Sequence, residues 1–525
     1  MEFVLEYTMD ALDENSEIEI IIGIVSPLGT NREKLLKDLE TEFERKGYKV
    51  QKISLTEETF RIDCNDSKSF KYFLKMQLCN NIRNNITNGF FAFLTCLYVT
   101  EYRNSLKDKY KKIVFIIDQI KNLVEYEVLS HVYGLNYIQI SLFSNEIERD
   151  RELKKKFSND VHIVNDMPHV EIDPNKKYTG MFTKSLISRI QSLTKDIIED
   201  YKNEVLPDVS HNLMRKDFED FDIQKEANKI SGQQIAKLFH KSHYYFNLDL
   251  PKDQIKLELK KFVKQLLGQY DEYPSQDEFG MNLAYQVSVR SNFPGARHIG
   301  AAIISKQGEV LSVASIRAPS QSSNTYLSDQ LKVSDGYDDY KKKIDKWTTQ
   351  LKNVEIDDRK NIIKFIQDTL DFHPCTHAEI AAIIDAAKIG VSVRSAILYT
   401  TTFPCHLCAK EIINSGINRV VYLEAYPKSK NKELYPNLVD FDPKNKTDLI
   451  PFDFYHGIGP KRFIYVYSLK NKSNDDCYPP LMRYEIPKYY EQKEKDIIDY
   501  VKSILLDENN DSSLLFLKRL FDGKK

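Results

Sequence analysis

At about 150 residues per domain, a chain of 525 residues predicts two to four folding units and excludes a single core. A hydrophobic fraction of 42%, with 28 Phe and 31 Tyr, excludes a disordered or fibrous chain. Lys and Arg number 75 against 77 Asp and Glu, and the net charge of −2 removes the global basic excess by which many nucleic-acid binders hold phosphate.

No apolar run approaches the roughly 18–20 residues of a membrane span, and the first residues, MEFVLEYTMDALDENSE, lack the basic and apolar regions of a secretory signal. A soluble, cytoplasmic protein without a membrane partner is expected. Seven cysteines, an odd number in a long chain, point to reduced thiols and metal ligands rather than a disulfide framework.

In chain order, Ile18 to Val25 reads as a buried strand, followed by a Pro/Gly loop, an amphipathic helix from about Arg32 to Lys46 and a second strand. KKIVFIIDQI is a buried strand ending at Asp118, a helix runs from about Val124 to Tyr133, and YIQISLF is another strand before the charged helix EIERDRELKKKF. This alternation predicts a parallel α/β sheet. From about Ser158 to Gln269 helical periods dominate, including SGQQIAKLFHKSHYYF and DQIKLELKKFVKQLLGQY. A turn cluster at Asp271 to Ser275 marks a boundary, so residues 1–270, 271–480 and 481–525 read as a first domain, a second domain and a helical, charged tail. The second domain begins with the helix DEFGMNLAYQVSVRS and strands around HIGAAIIS and EVLSVASI. A lysine-rich surface insertion from about Ala318 to Asp371 follows, and then helix HAEIAAIIDAAKIG, strand SAILYTTT, helix PCHLCAKEIINSGI and strand RVVYLEAY.

The strongest chemical signal is His377-Ala378-Glu379, then 24 residues, then Pro404-Cys405-His406-Leu407-Cys408. Cys405 and Cys408 are three apart at a predicted helix start, so their sulfurs share a side and the helix dipole favours thiolates. Pro404 suits the first helical position. One imidazole and two thiolates leave the fourth tetrahedral position of Zn²⁺ open, which is the catalytic pattern. Glu379, two residues after the His, is placed to move protons. His373, Cys375 and His406 are near the cluster, where an ordinary partly buried role is favoured over contact with substrate. Cys64, Cys79, Cys96 and Cys477 lack metal spacing and read as small core residues.

The amino-terminal loop is a weaker signal. Placed on G-x-x-x-x-G-K-[ST], Ser26 to Glu33 has Ser26 and Asn31 at the fixed glycines, Arg32 for the lysine and Glu33 for the metal-binding hydroxyl. Ser26, Gly29, Thr30, Asn31 and Arg32 are the candidate nucleotide-binding residues, with Asp118 as the acidic residue at a strand end.

The His-x-Glu and Pro-Cys-x-x-Cys elements resemble the cytidine and deoxycytidylate deaminase superfamily. MNLAYQVSVRS followed by RHIGAAIIS, LYTTTFPCHLCAKEIINSGINRVVY, and the later YPKS and GIGPKRF resemble its deoxycytidylate branch. Together with the amino-terminal loop, the chain resembles the bacterial anti-phage dCTP/dCMP deaminases. That resemblance implies a P-loop, nucleoside-monophosphate-kinase-like domain with a degenerate phosphate loop, and a three-layer α/β/α cytidine-deaminase-like domain. It implies one Zn²⁺ on His377, Cys405 and Cys408, with Glu379 as proton shuttle. Cytosine would become uracil with loss of ammonia, depleting deoxycytidine nucleotides during infection. It further implies a nucleotide in the amino-terminal domain, a regulatory RNA or nucleotide effector, and a homo-oligomer. One departure stands out: the branch often has G-x-N-x-x-P at the sugar, whereas Ile316 stands three residues before Pro319 here. Arg317 and Asn324 are the nearest polar stand-ins, each favoured as an ordinary loop residue. The competing readings are a deaminase acting on nucleic acid and a non-catalytic nucleotide sensor.

Overall fold

The buried run Ile18–Val25 becomes β1, the middle strand of a parallel sheet in the computed structural model of the chain. The structure describes residues 18–63, 67–85, 87–160, 169–172, 194–218, 233–268, 273–291, 298–319, 375–425, 429–441 and 448–467, with isolated positions at 342, 346 and between 492 and 499. The chain divides into two compact units, one of residues 1–271 and 464–525, the other of residues 272–463.

In the first unit α1 (Glu33–Arg45) links β1 to β2 (Lys49–Ser54), placing Leu35, Leu36, Leu39 and Phe43 inward as its 3.6-residue period requires. A short helix α2 (Leu55–Thr59) and strand β3 (Phe60–Asp63) lead into α3 (Lys68–Asn85) and α4 (Phe90–Leu106). Then come β4 (Lys112–Asp118), α5 (Leu123–Tyr133), β5 (Tyr137–Phe143) and α6 (Glu146–Lys156). β3 pairs antiparallel with β6 (His169–Ile172), and α7 (Thr194–Asp200), α8 (Val209–Phe218) and α9 (Ile235–Phe239) follow. The unit continues with β7 (Tyr244–Asn247) and α10 (Lys252–Leu266).

The main sheet runs β7-β5-β1-β4-β2, all parallel, with Ile21 opposite both Tyr137 and Phe115. Fully buried parallel strands read as apolar runs, and β1 obeys this except at Glu19. Glu19 is tolerated there because Arg103 of α4 binds both its carboxylate oxygens at 2.7 Å. The carboxyl ends of β1, β2 and β4 lie side by side, Ile24 and Ser54 both opposite Asp118. In open parallel sheets this is the edge where ligand sites form.

One sequence expectation fails in this unit. The stretch from Ser231 to Phe246 was expected as a helix, but it is the five-residue α9, a turn at His240–Ser242, and strand β7. Tyr244, Tyr245 and Phe246 are all buried, and pairing with β5 outweighs the helical period because aromatic residues suit a pleated, covered strand.

The second unit opens with α11 (Gln276–Ser288), started by a Ser275–Glu278 capping box. Its sheet runs in the order Val439–Asp440 (β12), Ile450–Phe454 (β13), Arg419–Glu424 (β11), Ile397–Thr402 (β10), Gly300–Ile304 (β8) and Val310–Ser315 (β9). β8 (Gly300–Ile304) and β9 (Val310–Ser315) form an antiparallel hairpin, and β8 is also antiparallel to β10 (Ile397–Thr402). β10, β11 (Arg419–Glu424), β13 (Ile450–Phe454) and β12 (Val439–Asp440) continue in parallel. α11 presses closely on this sheet: a Cβ at Gly300 would lie 2.0 Å from the Ala284 carbonyl oxygen, and one at Gly280 would lie 2.5 Å from the Tyr399 ring. α12 (Ala378–Lys388) packs on β8 and β9 and meets α13 (His406–Asn414).

Both units are mixed α/β structures. No helix among the described residues is long and apolar enough to cross a membrane. The expected insertion from Ala318 to Asp371 and the tail from 481 lie almost wholly outside the described residues, as do Cys64, Asn324, His373 and Cys477.

Candidate functional site

Two helix starts converge on one point in the second unit. His377 is the N-cap of α12 and Cys405 is the N-cap of α13, each with extended backbone. Pro404, expected inside the helix, stands one residue before the cap, because Cys405 takes the cap by accepting the Cys408 amide at 3.5 Å. His377 Nδ1 lies 3.4 Å from Cys405 Sγ and 3.3 Å from Cys408 Sγ. Among the described residues, His377, Cys405 and Cys408 form the one group of three whose ligand atoms all lie within 4.8 Å of one another. A tetrahedral zinc with bonds of about 2.3 Å to sulfur and about 2.0 Å to nitrogen would set these donors about 3.5 Å apart. The donor set and its spacing fit zinc.

Glu379 is 4% exposed, and its Oε2 accepts from Cys408 Sγ at 3.6 Å. Burial pushes its carboxyl above the usual range, although the His377 charge opposes this. The Cys405 thiol is drawn down to about 4 by its hydrogen bond with Cys408 and by the His377 ring, against burial. Cys408 is pushed up by the same pairing and by burial. The His377 ring is raised to about 11: burial opposes this, but hydrogen bonds with the Cys375 and Cys405 side chains prevail. Burial of the Glu379 carboxyl beside these donors favours its protonated form.

Residues 274–424 match the family model described as the cytidine and deoxycytidylate deaminase zinc-binding region. The matched stretch lies inside the second unit, residues 272–463. The deoxycytidylate deaminase of Enterobacteria phage T2 is 50% identical over 54 residues, which are 10% of this chain and 29% of that enzyme. The chain thus spans under a third of that relative's length. The deoxycytidylate deaminase of Pongo abelii is 27% identical over 192 residues, 35% of this chain and 89% of the relative. The crystal structure of a dCMP deaminase from cyanophage S-TIM5 in complex with dCMP and dUMP matches with a TM-score of 0.21 and 18% identity, covering 35% of this chain and 98% of that one.

Neighbouring residues of the second unit hold both arms of the cluster. Arg317 and Thr376 exchange backbone hydrogen bonds of 3.1 and 2.8 Å, tying the residue before His377 to the segment after β9. The Arg317 guanidinium is a fork on Asp385 of α12, at 2.7 and 2.8 Å. Two of its nitrogens thus hold α12. On the other arm, the Pro404 carbonyl accepts from Ser429 Oγ at 3.0 Å and Asn431 Nδ2 at 2.9 Å, and Asn431 is fully buried. Asn431 is missed by sequence reasoning, since nothing in its local pattern links it to a loop 27 residues away. His406, between the two cysteines, has a buried Nδ1 without a hydrogen-bond partner among the described residues.

The amino-terminal loop residues come together at the carboxyl edge of the parallel sheet. Gly29 needs its glycine: φ is +88°, and a Cβ would lie 2.7 Å from the Arg149 carbonyl. The groups that would face a phosphate are already engaged. The Leu28 amide donates to Asp217 Oδ2 at 2.6 Å, Arg32 Nε to Asp118 Oδ1 at 2.8 Å, and Asn31 Nδ2 to Glu152 Oε2 at 3.3 Å. Ser26 Oγ accepts from Gln119 at 2.8 Å. Internal carboxylates thus occupy both the loop amide and the loop cation.

Proposed function

We propose that the deaminase domain hydrolyses the exocyclic amine of a free deoxycytidine nucleotide, dCTP or dCMP, giving dUTP or dUMP and ammonia. The observation that carries this reading is the buried Glu379 carboxyl beside the His377, Cys405 and Cys408 cluster. It belongs to no ligand pair of that cluster, yet it is held at its edge.

In this reading His377, Cys405 and Cys408 hold Zn²⁺, which supplies Lewis acidity and acidifies a water when bound. Glu379 takes a proton from the attacking water at Oε2 and returns it to the pyrimidine ring. A second proton reaches the departing amine, so that water plus cytosine gives uracil plus ammonia. The raised proton affinity of the Glu379 carboxyl supports both directions of transfer, because a carboxylate of ordinary pKa would release its proton to solvent. Near-neutral net charge supports a free nucleotide over a nucleic acid.

The amino-terminal unit is a kinase-like scaffold in this proposal. Ser26, Gly29, Thr30, Asn31 and Arg32 border a regulatory nucleotide site without phosphoryl transfer. The family resemblance adds a cytoplasmic anti-phage role through loss of the dC nucleotide pool, restraint by a regulatory RNA or nucleotide effector, and assembly into a homo-oligomer. Incubation of purified protein with dCTP, dCMP, CTP and single-stranded oligonucleotides, with ammonia and uracil products followed, tests the reading. Turnover of oligonucleotides alone, or no ammonia from any cytosine substrate, would sink it.

A further inference from the structure

Two adjoining cavities, of about 390 and about 350 Å³, open at the carboxyl edge of the first unit's parallel sheet. They share Leu28, Arg32, Lys68, Tyr72, Gln119 and Lys156 as lining, so they form one bent space. Each is within the size range of small-molecule sites.

Charge in this space is unbalanced. Seven cationic side chains and three carboxylates line the second cavity. Asp118 is matched by Arg32, Asp217 by Lys121 and Glu57 by Lys75, while Arg83 is bound to Glu125 nearby. Lys68, Lys71 and Lys156 are left without a carboxylate partner among the described residues. Lys156 instead lies over the Tyr72 ring and donates to its hydroxyl. Lys68, Lys71 and Lys75 recur at helical spacing along one side of α3, which explains how one helix brings them to the same space. Glu33 and Glu152 also border the first cavity, and Glu152 is engaged with Asn31.

Two buried polar atoms in the lining are unsatisfied. Thr30, 5% exposed, borders the first cavity, and its Oγ1 has no hydrogen-bond partner among the described residues. Gln233, also 5% exposed, borders the second, and its Oε1 has none. Buried polar atoms are normally paired, and an orphan on a cavity wall marks where a ligand's polar group would sit. The lining of the second cavity also includes the apolar side chains of Leu55, Met76 and Phe91, suited to a planar base.

We propose that this space binds a free nucleoside polyphosphate, with its phosphates on Lys68, Lys71, Lys156 and Thr30 Oγ1 and its base edge on Gln233. The inference rests on the reading of the loop as the border of a nucleotide site, and it moves the phosphates off the loop backbone. Asp217 already holds the Leu28 amide and Asp118 already holds Arg32, so the anion finds its counter-charge on α3 and α6 instead. The ligand acts as an effector, with no bond made or broken.

The test uses the full chain carrying Glu379→Ala and two probes that offer no cytosine to the deaminase domain, ATP and inorganic tripolyphosphate. Binding is read by titration calorimetry. The double variant K68E/K71E should weaken both probes about ten-fold or more, as expected for lost charged hydrogen bonds. Lys156→Gln should weaken both as well, whereas Gln233→Ala should weaken ATP and spare tripolyphosphate. Because Lys68 is exposed and Lys71 half-buried, the double variant should keep its zinc content and thermal midpoint. Wild-type affinity in both K68E/K71E and K156Q overturns the proposal. So does loss of binding in Arg32→Ala alone, absence of binding by either probe at millimolar concentration, or displacement of ATP by a single-stranded oligonucleotide at lower concentration. Failure of the wild-type chain to release ammonia would sink the deaminase reading and leave this binding result standing.

Discussion

His377 and Cys405 are each the N-cap of a helix, and their side chains meet with Nδ1 and Sγ 3.4 Å apart. Two helix starts therefore aim their partial positive charge at one cluster, which lowers the cost of gathering thiolates in a buried place. The same geometry puts Glu379 in the first turn of α12, facing the cluster without joining it. Position along one helix start thus separates the proposed metal ligand His377 from the proposed proton carrier Glu379 by two residues.

Glu379→Ala should bind zinc as the wild type does and lose turnover by about 10²–10⁴-fold, the usual range for a general acid–base group. Metal analysis and an ammonia assay on the same preparation check this. Turnover at the wild-type rate would remove Glu379 from the mechanism.

Cys405→Ser and His377→Ala should each lose zinc. Serine can still cap the Cys408 amide, so zinc loss in Cys405→Ser reports the missing thiolate rather than a damaged helix start. Chelation of the wild type should lower the thermal midpoint of the deaminase domain, because a metal that binds only the folded state adds its binding free energy to stability. An unchanged midpoint after complete metal removal would argue against a zinc held by these three residues.

Arg317→Ala should cost about 1 kcal/mol of stability, since its pair with Asp385 is bidentate but partly exposed. The preference between dCMP and CMP should not move, because the guanidinium is taken up by α12. A changed ratio of kcat/KM for the two substrates would return Arg317 to the sugar site.

Asn431→Ala should cost more, about 1–3 kcal/mol, because it leaves the Pro404 carbonyl short of a buried donor. Zinc retention should fall as the Cys405 arm loosens. Full zinc affinity, measured by competition with a chelator, would show that Ser429 alone holds the arm.

ATP with any deoxynucleoside monophosphate should give no diphosphate above background. Phosphoryl transfer needs a phosphate-facing backbone, a cation on the β/γ oxygens and a hydroxyl on Mg²⁺. Here Asp217 holds the Leu28 amide, Asp118 holds Arg32, and Glu33 stands in the hydroxyl's place. Detectable turnover by chromatography would overturn this assignment.

What the sequence determined by itself was local. The buried strand Ile18–Val25, the amphipathic α1 and the alternation through β5 follow from side-chain periods that act within a few residues, and the structure matches them within a residue or two. The His-x-Glu and Cys-x-x-Cys spacings also carried their chemistry, since helix starts fix which donors share a side. Contacts between distant residues were decided only by the tertiary structure. Strand β7 hides in a helical period because its pairing with β5 lies about a hundred residues away. Helix α4 is buried around most of its circumference, so it lacks the polar stripe that would announce it. Arg317 on Asp385, Asn431 on Pro404 and Asp217 on Leu28 are likewise unreadable in one dimension. A hydrogen bond depends on where folding brings two groups, and sequence spacing restricts that only inside one helix, turn or strand pair.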